Sequence, residues 1–95
     1  MRSATKGFPV DAREWDQRPY FIHDYDISWT DLVADLRGED ATRRAWALGR
    51  LLDGARWADI WRLVSVEAVS RDLPRLQLAQ RDFWVDAIRA WAIPA

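Results

Sequence analysis

The chain has 95 residues, 49% of them apolar and 31% charged, with 14 basic against 15 acidic residues for a net charge of -1. That balance belongs to a globular domain and leaves no overall positive field for nucleic acid, whose binding rests on neutralising phosphates. With no cysteine and one histidine, His23, disulfides, thiolate chemistry and a His-rich metal site are excluded, and no apolar run approaches the ~20 residues of a membrane span or forms a signal peptide; a soluble, cytoplasmic protein is expected.

Residues 1–19 show neither a helical nor a strand period and carry Gly7, Pro9 and Pro19. Phe8, Val10 and Trp15 are their only sizeable apolar groups. Ordering each residue costs about 1–2 kcal/mol of backbone entropy, more than three side chains offset. The segment therefore reads as a flexible N-terminal arm, either a plain frayed terminus or an arm that orders on a partner with Phe8 and Trp15 as anchors. Residues 20–95 read as the folded domain. It opens on YFIHDY (20–25), too short for a helix, an extended stretch packing Tyr20, Phe21 or Ile22 onto the body.

A first helix is predicted over 28–37. Ser28 is its N-cap, Asp31 completes a weakened capping box, and Trp29, Leu32, Val33 and Leu36 form one apolar face. Gly38 supplies the position after its end. A second helix over 41–53 starts at the cap Asp40; Ala41, Ala45, Leu48 and Leu52, widened by Leu51, make its stripe. Gly49 in its interior suggests close approach of a neighbouring helix. A third helix over 56–63 gathers Trp57, Ile60, Trp61 and Val64 on one face. Ser65 caps a fourth over 66–72, with Val66, Val69 and Leu73 inward; Pro74 breaks the run. RLQL (75–78) connects to a fifth helix over 79–92, with Phe83, Trp84, Ala87, Ile88 and Trp91 inward and Arg81, Asp82, Asp86 and Arg89 outward. No strand pair with a turn signal follows residue 27. The sum is an all-α protein, a compact bundle of about five short helices preceded by a flexible N-terminal arm.

Little in the chain carries chemistry. HDYD (23–26) pairs one histidine with two aspartates, but no further ligands complete a metal site. There is no glycine-rich phosphate loop and no nucleophile–base pattern, so neither catalytic residues nor a cofactor is expected. The unusual feature is tryptophan: seven in 95 residues. So small a body has little room to hide seven indoles, each with an N–H seeking a partner, and at least two should reach the surface, where tryptophan anchors interfaces. A protein partner, or a second copy of the chain, is thus expected, with Trp46, Arg50 and Trp57 among the contacts; the bland alternatives are that Trp46 and Trp57 rest at the rim of the core and that Arg50 stacks on Trp46. A DNA-binding reading would use the helices near 56–75, with Arg71 and Arg75 toward phosphate.

The runs PYFIHDYDISWTDL, RAWALGRLLDGARWADIWRLVS and LPRLQLAQRDFWVDAIRAW resemble those of small helical bacterial proteins encoded beside nucleotidyltransferase-like toxins of the AbiEii class. The resemblance covers about residues 19–92. Its matching positions are Tyr25, Asp26 and Trp29, then Trp57, Asp59 and Trp61; His23 stands where an aromatic residue precedes the aspartate. It implies an antitoxin that neutralises its partner by direct binding. The residues point the same way: Asp24 and Asp26 beside Tyr25 and Trp29 offer acids and rings that mimic nucleotide phosphates and bases. The expected partner-binding set is Phe8, Trp15, Tyr25, Asp26, Trp46, Arg50 and Trp57.

Overall fold

Ser28 sets the first helix. In the computed structural model, which describes residues 3–76 and 81–92 (the last two by backbone alone), its hydroxyl accepts from the Asp31 N–H at 3.1 Å and the Asp31 carboxylate accepts from the Ser28 N–H at 3.2 Å. Both halves of the capping box are therefore formed, and α1 runs Trp29–Arg37. Asp40 accepts from Thr42 and Arg43 to start α2, Ala41–Gly54. α3 is Trp57–Leu63, α4 is Val66–Asp72 under its cap Ser65, and α5 is Arg81–Ala92. Short 3-10 turns lie at Glu14–Asp16 and Leu73–Arg75. The all-α class holds; among the described residues the only β-type pairing is an isolated bridge between Ala4 and Arg18. The predicted start of the fifth helix at 79, and Leu78 of the connector, lie outside the described residues.

The core forms where the apolar face of α1 meets α2. Trp29, Leu32 and Leu36 pack against Ala47, Leu48, Leu51 and Leu52, and Phe21, Ile22, Ile60, Val69, Leu73, Leu76, Trp84 and Ile88 close the remaining sides. The buried face of α2 is turned toward Ala47 and Leu51 relative to the predicted stripe, leaving Ala41 and Ala45 half-buried. Burying an indole the size of Trp29 removes on the order of 200 Å² from water, worth about 5 kcal/mol of transfer free energy.

Several local expectations are corrected. Gly38 ends α1 in an extended conformation (φ -76°, ψ 169°), not a left-handed one. Gly49 admits no close neighbour: a Cβ there would meet nothing within 4 Å. Within α2 it is Gly54 that is crowded, since a Cβ on it would lie 2.9 Å from the Phe21 Cβ. Arg81, predicted outward, turns back to donate to the carbonyls of Leu73 (3.2 Å) and Leu76 (2.6 Å) at the end of the 3-10 turn. Phe83, predicted inward, is 51% exposed, because its neighbour Trp84 takes the buried position.

The N-terminal segment, expected as a free arm, is laid against the bundle. The Thr5 N–H donates to the Arg18 carbonyl (3.0 Å) and the Arg18 N–H to the Ser3 carbonyl (2.9 Å), closing a loop over α1. The Trp29 indole N–H donates to the Thr5 hydroxyl at 3.0 Å. Phe8 and Trp15 set ring edges against Trp29 at centroid distances of 5.5 and 6.3 Å. The Arg56 guanidinium donates to the Lys6 carbonyl, and Arg62 lies over the Phe8 ring at 5.0 Å. Three apolar groups do not order this segment alone. A fully buried indole, which needs an acceptor for its N–H and cover for its ring, adds the missing contacts.

Candidate protein-binding surfaces

The expected partner-binding residues separate into three places. Phe8 and Trp15, expected as anchors for another chain, are half-buried and committed to Trp29. Tyr25, Asp26 and Trp46 come together. They line a groove of about 600 Å³ between the 25–27 segment, α1 and α2, with Asp31, Asp35 and Arg43 among the other walls. Tyr25 meets Trp46 edge-on, centroids 5.1 Å apart and planes at 75°. Arg50 lies on the neighbouring groove, which shares Trp46 and Thr42 with the first. Its guanidinium is 6.0 Å from the Trp46 ring, the predicted stack, and is held there by an ion pair with Asp24.

Trp57 belongs to a separate aromatic face built by α3 and α5. It stacks on Trp84 with centroids 5.7 Å apart and planes at 18°, and it meets Trp61 at 5.5 Å and Phe83 at 6.4 Å. Trp84 roots the group at 4% exposure, while Trp57 and Phe83 stand 48% and 51% exposed. Helical geometry explains the arrangement: Trp57 and Trp61 are four residues apart and share a face, whereas adjacent Phe83 and Trp84 are about 100° apart and only one can point to the core. That adjacency is the signal in the sequence for Phe83, which the apolar spacing of α5 taken alone sets inward. Of the other indoles described, Trp29 is fully buried and Trp15, Trp46 and Trp61 are half-buried.

Two further clusters of ionisable groups join elements of the fold. Asp72, only 1% exposed, accepts from Arg44 through both oxygens (2.8 and 3.3 Å) and also from Arg71 (3.4 Å) and Arg75 (3.2 Å). Arg44 reaches on to the Gly38 carbonyl at 3.0 Å, so the cluster ties α4 to α2 and to the end of α1. Burial alone would raise the Asp72 carboxyl; the hydrogen bond and charge of Arg44, with the charge of Arg71, outweigh it and hold the group below the usual carboxylate range. The Tyr20 hydroxyl donates to buried Asp59 at 2.7 Å and accepts from the Arg56 N–H at 2.7 Å. Burial, with Asp59 beside it, pushes the phenol upward against the opposing Arg56 contacts. His23 is exposed. Among the described residues no group of three or more histidine, cysteine, aspartate or glutamate side chains is placed to hold a metal ion, and no helix is long and apolar enough to cross a membrane.

No protein family, curated protein or solved structure matches this chain.

Proposed function

We propose that this chain is a non-enzymatic protein-binding module that docks its partner on the α3–α5 aromatic face. One observation carries the reading: Trp57 and Phe83 are each about half exposed while resting on buried Trp84. Large rings held by a rigid base lose little conformational freedom on binding, and tryptophan leads the residue types that dominate interface energy. The partner class is a nucleotidyltransferase-like toxin, supported by the sequence resemblance, whose matching positions include Trp57 and Trp61. A DNA-binding reading draws less support, because the guanidiniums of Arg71 and Arg75 both engage Asp72.

The test is co-expression with the toxin-like product of the adjacent gene, read by relief of growth arrest and by co-elution on size exclusion. Trp57→Ala with Phe83→Ala is expected to abolish both while leaving the far-ultraviolet circular dichroism unchanged. Absence of co-elution and of relief with the unaltered chain overturns the reading. Elution of the chain alone as a dimer that the same double variant dissociates would assign the face to a second copy.

A further inference from the structure

We infer that the groove between Tyr25 and Trp46 is a second binding site, one that takes a guanidinium side chain presented by a partner polypeptide. It lies apart from the α3–α5 face and does not depend on the reading given for that face. Its walls combine the two features a planar organic cation needs. Tyr25 and Trp46 meet at 75° and form an aromatic corner, and Tyr25 is 53% exposed. Asp26, Asp31 and Asp35 line the same space against one guanidinium, that of Arg43, which is bound to Asp35 at 3.1 Å, while the Asp31 carboxylate also accepts from the Ser28 N–H. The groove is therefore net negative as well as aromatic.

The molecule itself shows what this chemistry selects. On the adjoining groove a guanidinium from the chain's own Arg50 sits over the Trp46 ring with Asp24 as its carboxylate partner. Ring, carboxylate and guanidinium thus meet there within one chain. The Tyr25 side presents rings and carboxylates of the same kind in a cavity of about 600 Å³, open to solvent. Arginine fits such a place better than lysine, since its flat, weakly hydrated head both stacks on an aromatic face and pairs with a carboxylate. Phosphate-bearing ligands are disfavoured by the three acids.

The experiment is a nuclear magnetic resonance titration of the whole chain with acetyl-arginine amide, using acetyl-glutamine amide and acetyl-glutamate amide at equal ionic strength as controls. Expected are saturable shifts of the Trp46 indole and the Tyr25 ring with the arginine probe, at least tenfold weaker responses to either control, and no movement of Trp57 or Phe83. Tyr25→Ala and Asp26→Asn, both at exposed positions, are each expected to weaken the response fivefold or more while the remaining spectrum stays dispersed. Equal shifts with the glutamine probe, or undiminished binding by both variants, would overturn the proposal. Shifts confined to Trp57 and Phe83 would overturn it too, while leaving the α3–α5 face supported as a docking surface.

Discussion

Replacing Asp72 with asparagine tests whether the carboxylate at the junction of α4 and α2 holds the bundle together. The substitution keeps size and one acceptor oxygen but removes the charge facing Arg44, Arg71 and Arg75. Removing one member of a buried ion pair costs about 3–5 kcal/mol, mostly through the charge left behind. Here Arg71 and Arg75 are more than half exposed, so water reaches part of that charge. The expected loss is accordingly about 2–3 kcal/mol at pH 7, a fall of roughly 10–20 °C in melting temperature for a domain of this size. Acid supplies the second half of the test. A carboxyl held low in the folded state contributes stability that is fully present above its unfolded value, about pH 4, and is lost as the pH falls through the folded value. The gap between the parent chain and Asp72→Asn should therefore be widest at neutral pH and shrink below about pH 4. Urea denaturation followed by tryptophan fluorescence at pH 7 and pH 3 measures both. A gap under about 0.5 kcal/mol at pH 7, the range of ordinary surface changes, would refute the reasoning. So would a gap of equal size at both pH values.

Two glycines in α2 are expected to respond with opposite signs. Gly49→Ala meets open space and should stabilise the helix by about 0.5–1 kcal/mol, whereas Gly54→Ala drives a methyl into Phe21 and should lower the melting temperature. Thr5→Val removes the acceptor of the buried Trp29 indole; about 1–3 kcal/mol of destabilisation is expected, with faster hydrogen exchange at that N–H. Tyr20→Phe deletes a hydroxyl that joins Asp59 to the Arg56 backbone and should cost about 1–2 kcal/mol by chemical denaturation. Because the Tyr20 phenol is raised in the folded state, its contribution is fully present below about pH 10, the unfolded value, and is lost as the pH climbs through the folded one, so the parent chain should show an alkaline decline there that Tyr20→Phe lacks.

The helices were legible because their signals are local. Ser28, Asp40 and Ser65 announce helix starts within three residues of the groups they cap, and the apolar spacing of Trp29, Leu32 and Leu36 needs only the helical period. What escaped depends on residues far apart in the chain. Thr5 finds Trp29 across 24 positions, and Arg44 finds Asp72 across 28. No period or cap encodes such pairings, so the N-terminal residues looked free and nothing in the spacing marked Arg44 as the partner of Asp72. The placement of the candidate residues was half legible. Tyr25, Asp26 and Trp46 do converge, and Trp57 is exposed, but Phe8 and Trp15 are spent on Trp29, an outcome that composition alone does not distinguish from waiting for a partner.

The three guanidiniums gathered on Asp72 have a consequence beyond holding helices together. One carboxylate neutralises only one of them, so the cluster itself carries a surplus of positive charge. Arg75 also lines the groove that holds Arg50 and shares Trp46 and Thr42 with the Tyr25 groove, so this surplus lies next to the acid-lined walls of Asp26, Asp31 and Asp35. In a chain with a net charge of only -1 the two signs are thus gathered in adjoining grooves. The speed with which a charged macromolecule reaches either groove falls as added salt shortens the reach of its charge.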